Sequence, residues 1–310
     1  MQYDVLLIGD YWFDLIFTDL PGLPELGKEI FARSFDNVPG GSFINAVALQ
    51  RMGLRVGWAA DFGDDHFSRF ILEAARRERL DDSLFQYHAR PYRRVTASAS
   101  FPHDRAFLSY TDPAPAVGAA LKALVQHTAR AVMFPGLYFG PLFEVGQLAL
   151  RARETKIVMD CQSNDCTLGQ SEVRHAIQHV DVFLPNSAEA RQLTGTRTTL
   201  EAVRALGEAC PLVVVKDGPD GAHAIRGTET FYAPAIPVQV IDTTGAGDAF
   251  NAGFMKAWLD DKSIDECLRW GNICGGLSTT ARGGATAVPT LEQVQAWLNK
   301  DEGGRMKDEN

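Results

Sequence analysis

The run Asp242-Thr243-Thr244-Gly245-Ala246-Gly247-Asp248-Ala249-Phe250-Asn251-Ala252-Gly253 sets Gly245 and Gly247 around Ala246 and follows them with a carboxylate, where a loop turns into a helix. These three residues carry little side chain to shield their amides, so backbone N–H groups at the helix start can converge on an anion such as a phosphate. Asp248 comes next, in the first helical turn. Ionised, it only accepts hydrogen bonds and can take a proton from a hydroxyl beside that anion. A base next to an anion hole meets most of the demands of phosphoryl transfer, which are positioning and charge stabilisation. Alone, the run fits a well-capped helix start equally well. Its flanks favour the chemical role. Upstream, Pro211-Leu212-Val213-Val214-Val215-Lys216-Asp217-Gly218 has the pattern of a buried strand ending in a turn, and downstream Phe250, Phe254, Ala257 and Trp258 recur at helical spacing within 249–259.

Further out, buried-type strands recur at 5–9, 56–60, 131–134, 156–160, 180–184 and 212–216, with helical patterns at 44–52, 67–79, 142–154, 187–193 and 200–209. This alternation predicts a mostly parallel sheet with helices on both faces, whose ligands sit at the carboxyl ends of the strands. Two stretches break the rhythm. Residues 96–101 and 106–110 read as a hairpin joined by the turn Pro102-His103-Asp104-Arg105, while 13–35 holds no clear helix but two strand-like pieces, 15–17 and 29–34. Arg90, Arg93, Arg94 and Arg105 near the hairpin are expected to be solvated rather than phosphate-binding, and the polar end 301–310 is expected to fray.

A second glycine-rich element, Pro39-Gly40-Gly41-Ser42-Phe43-Ile44-Asn45-Ala46-Val47-Ala48-Leu49, lies near the other end of the chain. With the 242–253 run it closely resembles the two signatures of the ribokinase-like, or PfkB, carbohydrate kinases, in that family's order and over about residues 1–300. Asn186-Ser187-Ala188-Glu189 is similar to the family's Asn-x-x-Glu magnesium motif, and Arg282-Gly283-Gly284-Ala285 to the loop near its monovalent cation and nucleotide. The resemblance implies an α/β fold with one kinase domain at 1–300, in which segments at about 13–38 and 92–112 make a small β-sheet lid over the sugar, followed by the tail 301–310. It implies ATP-dependent transfer of the γ-phosphoryl group to the primary hydroxyl of an unphosphorylated sugar or sugar-like polyol. A nucleoside kinase of the same family is the alternative, with Trp12, Phe13 and Phe43 large enough to stack on a base. A non-catalytic sugar-binding protein is a third, more distant one, since a binder needs neither the base, the anion hole nor the magnesium motif.

Carried over residue by residue, the resemblance makes Asp248 the catalytic base and gives the anion hole to the amides of Gly245, Ala246 and Gly247. Asp14, Gly40, Gly41 and Asn45 would contact the sugar: glycines let the backbone approach a polyol, and an Asn side chain both donates and accepts. Asp10 is read as a strand-end cap. Trp12 stands where the family's ribose kinases carry Asn, and Ser42 where its phosphosugar kinases carry Lys, which argues against ribose and against a phosphorylated acceptor. Asn186 and Glu189, on one helical face, would reach magnesium through its waters, although the same spacing also makes a capping box. Lys216, Gly218 and Gly221 match a nucleotide loop, with Asn272 near the adenine. Asp242 and Thr244 match positions that ligate a potassium-like ion, while Ala287 lacks the hydroxyl that some relatives supply.

At 310 residues with 45% hydrophobic content the chain can bury the core of one large α/β domain. A net charge of −9 speaks against a nucleic-acid partner but not against ATP, which needs only a locally positive pocket. No signal peptide and no membrane-length apolar run is visible, and Cys161, Cys166, Cys210, Cys267 and Cys274 have no metal-like spacing; a cytoplasmic protein with reduced thiols is expected. The pairing expected is with a small sugar or nucleoside, and with a second copy through the lid. Gly22-Leu23-Pro24-Glu25-Leu26-Gly27-Lys28-Glu29 imitates a P-loop, but Glu29 replaces the Ser or Thr that would hold magnesium, and Pro24 spoils the phosphate wrap.

Overall fold

Apolar runs such as Val5-Leu6-Leu7-Ile8 and Leu212-Val213-Val214-Val215 can be buried only in a sheet covered on both faces. The computed structural model describes residues 2–101, 105–115, 118–162 and 165–308 and contains such a sheet. In chain order the strands are β1 (Tyr3–Ile8), β2 (Tyr11–Thr18), β3 (Ser34–Gly41), β4 (Val56–Ala59), β5 (Asp61–Phe62), β6 (Gln86–Tyr87), β7 (Arg94–Ser100), β8 (Arg105–Thr111), β9 (Ala129–Phe134), β10 (Lys156–Asp160), β11 (Val182–Leu184), β12 (Leu212–Lys216), β13 (Ala222–Arg226) and β14 (Glu229–Ala233). The main sheet runs β14-β13-β12-β11-β10-β9-β1-β4. It is parallel from β12 to β4, with β13 and β14 added antiparallel at one edge.

Side chains alternate between two cores. Val5 and Leu7 join the helices Ser42–Arg51, Ala246–Leu259 and Ile264–Ser278, whereas Leu6 and Ile8 join Ser171–Gln178 and Thr199–Gly207 on the opposite face. Every expected strand of the main sheet is present, within a few residues at its ends. Among the described residues, no helix is long and apolar enough to cross a membrane.

A four-stranded second sheet, β3-β2-β7-β8, stands apart from the main sheet and is built from the two segments expected to form the lid. The expected hairpin is β7 and β8, paired from Arg94↔Thr111 to Ser100↔Arg105; the turn at 102–104 lies outside the described residues. The strand expected at 29–34 is not there. Phe31 is 74% exposed and has no partner strand, while pairing starts at Ser34 and continues through Gly41, with Phe35 against the Phe17 ring at 5.1 Å. The glycine-rich element is thus half lid strand, half helix start. Pro39 is tolerated because β3 is an edge strand. At the other terminus the helix Leu291–Asp308 continues into the segment expected to fray.

The helices Ala246–Leu259 and Ile264–Ser278 owe their closeness to small residues. A Cβ on Gly253 would lie 2.5 Å from Cys274 Sγ and 2.6 Å from the Trp270 carbonyl oxygen. In an open helix Gly→Ala gains up to about 1 kcal/mol of propensity, but here the new methyl meets backbone, and overpacking costs about 1–3 kcal/mol. Gly253→Ala is therefore expected to destabilise, lowering the chemical-denaturation midpoint; an unchanged or raised midpoint would show that the two helices can separate without cost.

Candidate active site

The acceptor side begins with register. Pairing of β2 with β3 sets Trp12 opposite Gly40 and Asp14 opposite Val38. Alternation along β2 then points Trp12 and Asp14 to one face of the lid. A Cβ on Gly40 would lie 1.9 Å from Asp14 Oδ2, so the glycine leaves the space that the carboxylate fills. Burial pushes the Asp14 carboxyl up to about 6. It lines a cleft of about 1000 Å³ together with the hydroxyls of Thr18, Ser34, Thr96, Ser98 and Ser100, facing Asp242, Thr243 and Thr244 across the gap. Hydroxyl groups that both donate and accept suit a polyol.

Gly41 caps the helix Ser42–Arg51, which buries Asn45 to 2% exposure. Asn45 Nδ2 donates to Asp248 Oδ1 at 2.8 Å, and its Oδ1, although buried, meets no donor among the described residues. A buried acceptor left unmatched is costly and points to a ligand hydroxyl. Asp248 sits in the first turn of Ala246–Leu259, after Gly245, whose φ of 75° lets the chain enter the helix through a left-handed turn. Ala246 N–H closes that turn on Thr243 O at 3.2 Å, whereas Gly245 and Gly247 make no such bond among the described residues. The cradle therefore rests on those two amides more than on Ala246. Asp248 is pushed up to about 7, first by burial and then by Asp160, against the pull of Lys216 and the Asn45 amide.

Beneath the cradle lies a buried polar cluster that the sequence did not reveal. Lys216, the last residue of β12, donates to both oxygens of Asp160 at 2.8 and 3.0 Å and to Asn251 Oδ1 at 3.2 Å. Asn251 Nδ2 returns a bond to Asp160 Oδ2 at 2.6 Å. The Lys216 ammonium lies 3.6 Å from where a Cβ on Gly247 would stand, close beside the cradle. Adjacent strand ends bring in the remaining carboxylate, since Asn186 bridges to Lys216 and opens the helix Ser187–Thr194. The capping box is present: Glu189 N–H donates to Asn186 Oδ1 at 2.9 Å and Asn186 N–H to Glu189 Oε2 at 2.8 Å. Glu189 is pushed up to about 7, first by burial, then by Asp160. Among the described residues no three acidic, His or Cys side chains close into a metal-holding cluster, so a divalent cation beside Glu189 would keep most of its waters.

Elsewhere the structure redistributes the expected residues. Gly221 packs so closely that a Cβ would lie 2.2 Å from Ala233 O, which holds the turn between β12 and β13 against the end of β14, with Gly218 opening that turn. Asn272 spends its amide on the carbonyls of Ala233 and Pro234, at 2.8 and 3.0 Å, and lines a separate cleft of about 380 Å³ with Ile236 and Trp297. Phe13 packs edge-on against Phe67 and Phe70, and Phe43 against Trp58; both are core, whereas Trp12 lines a cavity beside Asp10 and Arg94. Arg94 is not solvated. It is 6% exposed, held by Asp10 Oδ2, Tyr92 Oη and Asp112 O, so Asp10 is an ion-pair partner rather than a simple cap.

Asp242 clamps the loop ahead of the cradle. Its Oδ1 accepts from Thr244 N at 3.0 Å and Thr244 Oγ1 at 2.7 Å, and its Oδ2 from Gly283 N at 3.1 Å. Burial works against ionisation, but these bonds and Arg105 hold its carboxyl below the usual range.

This chain is similar to known proteins over nearly its whole length. The family model of the pfkB family carbohydrate kinases matches residues 4–291. Ribokinase of Bacillus subtilis is 27% identical, covering 96% of this chain and 99% of that protein. Aminoimidazole riboside kinase of Salmonella typhimurium is 26% identical, covering 95% of each. The structure of Arabidopsis thaliana ribokinase complexed with ribose and ATP superposes with a TM-score of 0.81 at 21% identity, covering 96% of this chain and 99% of that one, and so shares the fold. Two glycine-rich elements that meet through Asn45 and Asp248, within a match spanning the described sheet, place the chain in the pfkB family of carbohydrate kinases.

Proposed function

We propose that this carbohydrate kinase transfers the γ-phosphoryl group of ATP to the primary hydroxyl of an unphosphorylated sugar or sugar-like polyol. The observation that carries this is the contact between Asn45 and Asp248, 2.8 Å apart across two motifs far separated in the chain, with the unmatched Asn45 Oδ1 beside it. Asp14 and Asn45 would hold acceptor hydroxyls, with Gly40 and Gly41 admitting them. Asp248 would take the proton of the attacking hydroxyl; a base near 7 is matched to that task at neutral pH. The amides of Gly245 and Gly247, with Ala246 completing the turn, and the nearby Lys216 ammonium would stabilise charge on the transferred group. The chain through Gly218 and Gly221 would pass the nucleotide, with Asn272 shaping the wall behind it. Asn186 and Glu189 would hold Mg²⁺ through its waters, and the ion would neutralise phosphate charge. The burial of Phe13 and Phe43 removes two of the aromatic residues that a nucleoside base would use, which favours a sugar acceptor over a nucleoside. A cytoplasmic location agrees with five free cysteines. Leu108 and Tyr110, exposed on β8 and turned from the cleft, support a homodimer through the lid.

Asp248→Asn keeps shape and removes the acceptor of the proton, so kcat in a coupled ADP-release assay should fall by about 10²–10⁴ with ATP affinity little changed. Near-normal turnover would sink the assignment. In the parent enzyme kcat/KM should rise with pH through about 7, as Asp248 loses its proton, and level off above. Asp160 raises the Asp248 value and also ties up Lys216, so Asp160→Asn should move that acid limb to lower pH; a shift upward would contradict this electrostatic picture.

Glu189→Gln should raise the magnesium concentration needed for half-maximal rate and recover only part of the turnover at saturation, because a neutral amide holds the ion's waters less strongly. A magnesium titration coinciding with the parent's would reduce Glu189 to its capping role.

A further inference from the structure

Asp242 and Thr244 match the positions of a monovalent-cation site, but in this chain their lone pairs point at hydrogen atoms. A carboxylate has about four acceptor sites, and the Asp242 carboxylate already receives Thr244 N–H, Thr244 O–H and Gly283 N–H. Thr244 Oγ1 donates to Asp242 and accepts from Arg105 NH1 at 3.1 Å, and Arg105 NH2 stands 3.6 Å from Asp242 Oδ1. These oxygens do not fit a bound metal ion. They fit a guanidinium, which brings one positive charge and a fork of donors.

Arg105 is not part of the loop that it charges. It opens β8, at the end of the lid strand that pairs with β7, and lies 139 residues before Thr244 in sequence. Asp242 meanwhile joins two loops, since Ile241 and Asp242 N–H both donate to Thr279 O while the carboxylate takes Gly283 N–H. Gly245 rests against the second loop, a Cβ there lying 2.8 Å from Gly284 O. A positive charge on Asp242 and Thr244 thus stiffens the support of the cradle amides, and in this chain the charge arrives with the lid.

We propose that Arg105 is a positioning residue that takes the place of a monovalent cation at Asp242 and Thr244, so that the anion cradle is complete only when the lid has closed. This rests on the kinase function above. It links cover to chemistry. With the lid open the cradle lacks its supporting charge, which suppresses transfer to water before the acceptor is enclosed.

The test compares rate and thermal midpoint in the chlorides of potassium, sodium and tetramethylammonium at equal ionic strength, for the parent, Arg105→Ala and Arg105→Lys. The parent should show the same rate and midpoint in all three salts. Arg105→Ala should lose on the order of tenfold to a hundredfold in kcat in tetramethylammonium, the scale of a small misplacement of catalytic groups, and regain rate and midpoint with added potassium or guanidinium ion. Arg105→Lys, which keeps charge but loses the fork, should fall between. Parental dependence on potassium, an alanine variant as active as the parent in tetramethylammonium, or one that no ion rescues would each overturn the proposal. A parent inactive on every sugar would instead count against the kinase function, and the midpoints would still decide whether an ion binds in place of Arg105.

Discussion

The buried pair of Lys216 and Asp160, closed by Asn251, is the interaction on which the rest of the site depends. It joins the ends of β12 and β10 to the helix that carries Asp248. Burying two charges is costly, and the strongest case for retaining such a pair is the geometry that it specifies rather than net stability. Here it specifies two things. It fixes the first turns of the helix against the carboxyl edge of the sheet, and it sets the local charge. Asp160 disfavours ionisation of both Asp248 and Glu189, and Lys216 favours it, so one pair biases the proposed base and the proposed magnesium carboxylate together.

Much of the fold was legible because its physics is local. Lys156–Asp160 and Leu212–Lys216 read as strands from unbroken apolar runs and are strands, with the same ends. The paired glycine-rich elements announced where a helix would start. Partnership at a distance was not legible. Of residues 29–34, which carry a strand-like pattern, Ser34 alone joins a strand, and Phe31 is left in solvent. The pattern of Phe13 and Phe43 beside glycines could not say which face they occupy; register sends both into the core.

The polar residues missed from the site left a faint signal. Asn251 is the polar member of the buried stretch from Ala249 to Met255, wholly enclosed, and an amide in such a place requires partners. Asp160 follows the buried apolar run Ile157-Val158-Met159 and is buried with it. Arg94 gave no signal, because a run of arginines near a hairpin has the composition of a wet surface. Only the fold shows that Asp10, Tyr92 and Asp112 enclose it.

Gly40 has a consequence for how this protein tolerates change. Every other amino acid brings at least a β carbon, and at this position that atom would fall 1.9 Å from the Asp14 carboxylate. No substitution is conservative there, alanine included. A library selected for activity should find positions 40 and 41 restricted together, Gly40 because a Cβ evicts the Asp14 carboxylate and Gly41 because its φ of 61° and a Cβ 2.9 Å from Asp10 O leave no room for a side chain. Breadth of acceptor choice in this scaffold is therefore to be sought along the hydroxyl-bearing strands that face Asp14, where side chains can be exchanged without evicting it.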